Sequence, residues 1–366
     1  MIKFLDLNAQ YQTIRAEIDE AIAGVIERSA FIGGQDLRDF ETEFAAYQQV
    51  NHCIGVGNGT DAIEILIEAL GLPERSEVIV PANSFIASSE AVTRAGLKVV
   101  FADVNPDTQN LSPADVERRI TPATSAIVAV HLQGRPAPMQ ELLELSSRYG
   151  LKLLEDAAQA HGAEINGRRV GGIGAGGTFS FYPGKNLGAY GDGGAITTND
   201  PDLAKRCRMI ANHGRISKYD HEFEGRNSRL DGLQAAILRV KLRHLDGWIG
   251  HRNLLARRYI ERLGGIDGLV LPAAVGNVRH AFHLFVVRSE RRDELAAFLS
   301  ERGIQTGIHY PIALPKLAAY EYLGQAHEQM FANTADRTLL SLPIGEHLTL
   351  ADVDTVTDAV RAFHEA

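Results

Sequence analysis

The sequence predicts an α/β fold: a large, mostly parallel sheet with helices on both faces, followed by a smaller α/β unit. Three observations carry the prediction. Between His52 and Glu155, short apolar runs of strand length alternate with segments of helical periodicity. A second strand–helix alternation follows a glycine-containing stretch from Leu263 to His280. The chain has 366 residues, 45% of them hydrophobic, which is enough for a large core and for more than one domain.

Taken in order, Ala9 to Arg28 reads as a helix, with Ile14, Ile18, Ile22 and Val25 at helical spacing. Gln35 to Gln49 repeats this with Leu37, Phe40, Phe44 and Tyr47. Strands are expected at His52–Val56, Glu77–Pro81, Leu97–Phe101, Ser125–Leu132 and Leu151–Glu155. Helices alternate with them at Thr60–Leu70, Ile86–Arg94, Ser112 to Ile120 and Met139–Tyr149. Asp202–Ala211, Leu230–His244 and His251–Leu263 are helical, the last two either separate or continuous. The C-terminal unit is expected as strand Ala281–Arg288, helix Arg291–Arg302, strand Ile304–Ile308 and helix Leu350–His364. This places a large domain at 1–250 and a small one at 251–366.

The chemistry is expected at loops beyond strand ends, where open parallel sheets bind ligands. Thr178 to Ile196, TFSFYPGKNLGAYGDGGAI, opens as a strand to Tyr182, breaks at Pro183 and Gly184, and presents Lys185. A lysine in a partly dry pocket loses its charge more readily, and the free amine forms imines with aldehydes. Ser180, five residues earlier, offers a hydroxyl for a phosphate. An amine for an aldehyde and a hydroxyl for a phosphate suggest pyridoxal 5′-phosphate; an ordinary glycine-rich loop with a surface lysine fits this stretch equally well. Gly55 to Thr60, GVGNGT, opens a helix whose N–H groups suit a phosphate, or is a capped turn. Asp156 follows strand LKLL, suited to a protonated pyridine nitrogen, to a metal or to a helix cap; Gln159 lies where it can reach a ring hydroxyl. Phe85 is either a stacking partner for an aromatic cofactor or a core residue. Asn212 to Leu230 is a long polar loop of the kind that is functional or disordered.

Several classes are excluded. A P-loop needs a glycine where Phe179 stands and Ser or Thr where Asn186 stands. A dinucleotide fingerprint needs glycine at Thr60 and an acid after the next strand, whereas Glu77 precedes it. The formal net charge of -9, with no long basic run, argues against nucleic-acid binding. Two distant cysteines, Cys53 and Cys207, make no zinc spacing and are expected reduced and buried; no metal is expected. The start MIKFLDLNAQ lacks a signal-peptide core and no apolar run reaches the length of a membrane span, so a cytoplasmic protein is expected.

GNGTDA, EDAAQAHGA, SFYPGKNLGAYGDGGAI, GRNSRLDGLQAAIL and IHYPIAL occur in that order. Together they resemble the nucleotide-sugar aminotransferases of the DegT/DnrJ/EryC1/StrS family over nearly the whole chain. The resemblance implies a pyridoxal-phosphate enzyme of aminotransferase fold type I, acting as a homodimer. It implies Lys185 as the Schiff-base lysine, Asp156 on the pyridine nitrogen and Gln159 beside the ring. It further implies Gly59, Thr60 and Ser180 around the phosphate, Asn227 lent by the neighbouring subunit, and Phe85 over the ring. Relatives with histidine at the lysine position are dehydratases, so Lys185 favours transamination. By the same resemblance the donor is L-glutamate and the acceptor a 3-keto, dTDP-linked 6-deoxyhexose. Tyr182, Lys218, His309 and Tyr310 match positions near the sugar and diphosphate. HLQGRPAPM departs from the pattern, with Gln133 and Arg135 where relatives often have tyrosine and glutamine. A 4-keto sugar or keto-cyclitol, or a non-catalytic cofactor-binding regulator, are the alternatives.

Overall fold

The computed structural model describes residues 1–273 and 276–365. Its centre is a seven-stranded sheet built from β1 (His52–Val56), β2 (Glu77–Pro81), β3 (Lys98–Ala102), β4 (Thr124–Val130), β5 (Lys152–Asp156), β6 (Gly176–Ser180) and β7 (Gly194–Thr198). The order across the sheet is β1-β7-β6-β5-β4-β2-β3. Only β7 runs antiparallel to its neighbours, β1 and β6; the other pairings are parallel. All strands but β7 therefore end at one edge, where the loops after β1, β2, β4, β5 and β6 meet.

The strand pleat divides apolar side chains between two layers. On β2, Val78 and Val80 join a core packed by helix α4 (Gly59–Leu70), helix α5 (Ala87–Arg94) and helix α8 (Pro201–Ala211), while Ile79 faces Val116, Leu142 and Leu145. Those residues belong to Pro113–Arg119 and Met139–Tyr149, on the opposite face. Phe40 and Phe44 of helix Gly34–Tyr47 close the β1–β7–β6 end of the sheet, against Phe179 and Phe181. A separate core lies around the three-stranded sheet of Leu269–Val270, Phe285–Ser289 and Leu339–Leu342, with helices Arg292–Glu301 and Leu350–Glu365. Helix α9 (Gly232–Leu263) connects the cores: Ala235, Leu238 and Leu245 pack in the first, Leu255, Tyr259 and Leu263 in the second. Both cysteines are buried and free. Among the described residues no helix is long and apolar enough to cross a membrane.

The structure corrects several expected elements. The expected helix from Ala9 divides into Leu7–Thr13 and Arg15–Arg28, because Ile14 leaves helical geometry (φ -127°, ψ 18°). The lysine-bearing strand ends at Ser180 rather than Tyr182, and begins at Gly176, where paired glycines allow close approach: a Cβ on Gly177 would lie 2.4 Å from Gly171. The strand expected from Ala281 starts at Phe285, since Phe282 takes φ 40°. Ile304–Ile308 forms only isolated bridges, Ile2 with Ile304 and Gly307 with Ser341. The long loop after Asn212 contains a short hairpin, Arg215–Ser217 with Asp220–His221. Leu230–His244 and His251–Leu263 form one continuous helix, Gly232–Leu263, which is one of the two arrangements the sequence allowed.

Candidate active site

The sheet register assembles the site. Gly194 of β7 pairs with Val56 on one side and with Ser180 on the other, so the loop after β1 lies beside the end of β6. A Cβ on Gly194 would come within 2.4 Å of the Asn58 carbonyl, which explains the glycine. Asn58 caps α4, its Oδ1 accepting from the Asp61 amide at 2.8 Å. The N–H groups of Gly59 and Thr60 have no intrahelical acceptor and are left for an anion. A Cβ on Gly59 would lie 2.7 Å from the Ser180 Cβ, so the glycine keeps the mouth of this cradle open. Ser228 closes its rear, accepting from the Gly57 amide at 3.0 Å and donating to Asp61 at 2.6 Å.

Asp156 is the last residue of β5 and is buried. Its Oδ2 accepts from Ser88 Oγ at 2.7 Å, and Oδ1 from the Ala158 amide at 3.1 Å. Ser88 in turn shares a 2.8 Å hydrogen bond with Ser84. The preceding acid, Glu155, points to the other side of the strand and is fully buried. It accepts from the amides of Gly171, Ile173 and Gly174 at 2.6–2.7 Å and meets His131 Nε2 at 3.0 Å. His131 Nδ1 accepts from the Ala137 amide, so Nε2 carries the proton given to Glu155. Burial raises the Glu155 pKa, but these donors more than offset it and the net shift is downward.

Gln159 is held at both ends. Its Oε1 accepts from the Gln133 amide at 2.6 Å and its Nε2 donates to Tyr310 Oη at 2.9 Å. An amide nitrogen has two donors, so one N–H is left for a ligand. Phe85, 53% exposed, lies 5.8 Å from the Tyr310 ring. Lys185 follows the Pro183–Gly184 break, its amide donating to the Tyr182 carbonyl at 2.8 Å. Burial pushes its amine down to about 8, with Asp156 pulling weakly the other way. Three histidines feel its charge and are held neutral chiefly by burial: His161 at about 3, His309 at about 4, and His283 well below its ordinary value.

Gly59, Ser180, Asp156, Gln159, Tyr310, Phe85, Lys185 and His309 thus cluster at one sheet edge. Thr60 is in the first turn of α4. Tyr182 is 61% exposed beside the lysine loop. Lys218 and Asn227 lie elsewhere. Lys218 is on the exposed hairpin, its amine 5.2 Å from the Tyr219 ring. Asn227 is exposed and bridges Asn212, while its neighbour Ser228 turns inward. Sequence reasoning missed Ser88, Ser228, Glu155 and His283. Ser88 sits one helical turn after Ser84, a spacing that alone does not distinguish it from a surface serine.

The DegT/DnrJ/EryC1/StrS aminotransferase family model matches residues 12–361. The chain belongs to this family. A dTDP-3-amino-3,4,6-trideoxy-alpha-D-glucose transaminase of Streptomyces venezuelae is 47% identical over 367 residues, covering 100% of this chain and 96% of that protein. A dTDP-3-amino-3,6-dideoxy-alpha-D-galactopyranose transaminase of Aneurinibacillus thermoaerophilus is 42% identical, covering 99% of each. The crystal structure of S. venezuelae DesV in complex with a ketimine intermediate superposes with a TM-score of 0.97 at 46% identity, covering 100% of this chain and 99% of that one. Its fold is therefore that of a pyridoxal-phosphate aminotransferase of the DegT/DnrJ/EryC1/StrS family. The donor set fits the cofactor: an open anion cradle that a Cβ at Gly59 would fill, a carboxylate at a strand end, and a lysine of lowered pKa.

Proposed function

We propose that this chain is a pyridoxal 5′-phosphate-dependent aminotransferase. It moves the amino group of L-glutamate to the 3-keto carbon of a dTDP-linked 6-deoxyhexose and yields a 3-amino-3,6-dideoxyhexose nucleotide. The observation that carries the reading is Lys185, an amine of lowered pKa beside the Gly59–Ser180 cradle and the Asp156 carboxylate. The names of the S. venezuelae and A. thermoaerophilus relatives favour the 3-position and the dTDP carrier.

When bound, pyridoxal phosphate supplies an aldehyde that captures amines and a ring that draws electron density from the carbon losing its proton. In this reading the Gly59 and Thr60 amides and the Ser180 hydroxyl hold its phosphate. The Asp156 carboxylate, oriented by Ser88, pairs with the ring nitrogen, and the free N–H of Gln159 reaches the ring hydroxyl. Lys185 would hold the aldehyde carbon through Nζ; once free, that neutral amine would carry the proton from the donor's Cα to the cofactor's C4′ carbon and, in the second half, from C4′ to C3 of the sugar. A group near pH 8 suits both directions. Phe85 covers the ring and Tyr182, His309 and Tyr310 serve the sugar and diphosphate, while Lys218, on the same loop as Asn227, serves the diphosphate of the partner's site.

The working unit of this proposal is a homodimer in the cytoplasm, with Asn227 reaching the partner's phosphate. The division into 1–250 and 251–366 belongs to the same reading. The test is borohydride reduction of protein loaded with pyridoxal phosphate, followed by peptide mass analysis. The label is expected on Lys185, and Lys185→Ala is expected to lose both label and turnover of glutamate with keto-sugars. A label on another lysine, or turnover of 4-keto sugars alone, would overturn the assignment of the amine or of the substrate respectively.

A further inference from the structure

Lys241 is a buried cation that the mechanism above does not use. It lies on α9 and is 1% exposed. Its Nζ donates to the Gly188 carbonyl at 2.7 Å and lies 4.3 Å from the centre of the Tyr190 ring. Among the described residues no carboxylate lies within ion-pair distance. The one acid whose charge it feels, Glu346, is already paired with Arg252 at 2.7 Å. An ammonium buried without a counter-ion is costly, and a neutral methionine would fill the same space more cheaply. The charge is therefore explained by what it grips.

What it grips is the returning arm of the Lys185 loop. The loop leaves β6 at Ser180, turns at Pro183, presents Lys185 and folds back so that Gly188 lies on Pro183. A Cβ at Gly188 would come within 2.2 Å of the Pro183 carbonyl oxygen. The Ala189 amide then donates to the Phe181 carbonyl at 2.8 Å, closing the loop's neck. Two side chains of α9 hold the arm beyond the lysine. Gln234 Oε1 accepts from the Tyr190 amide at 2.8 Å, and Lys241, seven residues on and so on the same helix face, takes Gly188 and the Tyr190 ring. A cation over an aromatic face together with a charge-assisted hydrogen bond is a stronger grip than a neutral amide would give.

We propose that Lys241 is a positioning residue: its ammonium clamps Gly188 and Tyr190 to α9 and so fixes the loop that presents Lys185. The proposal deepens the aminotransferase reading and rests on it for the purpose of the loop, but its test does not. Burial pushes the Lys241 amine down to about 8, so above that pH the clamp loses its charge, and with it the hold on the Tyr190 ring and the charge assistance of the Gly188 bond. The groups facing it are the Tyr190 ring and the Glu346–Arg252 pair.

The experiment is hydrogen–deuterium exchange on the cofactor-free full chain, followed in peptides covering residues 183–193. At pH 7, Lys241→Met is expected to exchange there at least tenfold faster than the wild type, with Phe285–Ser289 and Leu339–Leu342 unchanged. Unaltered protection of 183–193, or an equal loss across the chain, would overturn the clamp. A pH series on the Lys185→Met background leaves one loop-associated lysine to titrate. After correction for intrinsic exchange, protection of 183–193 is expected to fall between pH 7 and 9.5, and the additional substitution Lys241→Arg is expected to keep it constant. If Lys241→Met fails to fold, Lys241→Gln, which keeps a donor for Gly188 but no charge, takes its place at pH 7, and unaltered protection of 183–193 there refutes the proposal. Binding of pyridoxal phosphate at a different lysine would sink the aminotransferase reading without altering these exchange results.

Discussion

Replacing Lys185 by methionine tests the electrostatics of the site without any ligand. The amine falls from 10.5 to about 8 in the folded chain because burial disfavours its charge. A drop of that size corresponds to roughly 3 kcal/mol of penalty on the ammonium at pH 7. Lys185 is half-buried, so this is an upper bound and about 1–3 kcal/mol is expected. The sign follows from proton binding. At pH 7 both folded and unfolded lysine are charged, and the whole penalty falls on the folded state. Between pH 8 and 10.5 the unfolded chain binds more protons than the folded one, so stability rises with pH. Cofactor-free Lys185→Met is therefore expected to be more stable than the wild type at pH 7, with the gap shrinking by up to about 2 kcal/mol at pH 9.5. Urea unfolding at the two pH values measures it. Lys241 titrates in the same range in both proteins and cancels in the difference. A gap that is constant with pH would refute the depressed amine, whatever its size.

Three further outcomes follow from the same geometry. Gly59→Ala places a methyl 2.7 Å from Ser180 Cβ, and pyridoxal-phosphate affinity in equilibrium dialysis is expected to fall by roughly tenfold or more; unchanged affinity would remove the cradle. Glu155→Ala strands His131 and three backbone amides, and is expected to cost about 3–5 kcal/mol in urea unfolding at pH 7. Because the folded Glu155 pKa is lowered, its contribution is present above the ordinary value of 4.5 and lost as pH falls through the folded one, so the cost should shrink in acid. If Asn227 serves the partner's site, mixing Lys185→Ala with Asn227→Ala should restore up to about a quarter of wild-type activity, since each mixed dimer carries one intact site. Mixtures no more active than either variant would place Asn227 outside the partner's site.

Much of this was legible in the residues because the signals are local. The alternation from His52 to Glu155 marks β1 to β5 within two residues, since buried parallel strands are continuous apolar runs. Asp156 at a strand's end and Lys185 after Pro183–Gly184 were visible for the same reason. What was not legible depends on contacts distant in sequence. Ser88 meets Asp156 across 68 residues, and Tyr310 meets Gln159 across 151. Ile304–Ile308 reads as a strand by composition, but only Ile304 and Gly307 find bridging partners. Lys241 sits among apolar positions of α9, and its reason lies in a carbonyl 53 residues earlier.

Glu155 and Asp156 are neighbours in sequence with separate fates, one sealed among backbone amides and the other held by Ser88 within reach of the Lys185 charge. Were β5 to slide by one position against β4 and β6, the two acids would trade places. The longer side chain would face Ser88 and Lys185, and the amides of Gly171, Ile173 and Gly174 would lose the oxygens they converge on. The amide nest is thus a mispairing alarm for the central strand: the charge sealed inside it fixes which acid stands with Lys185.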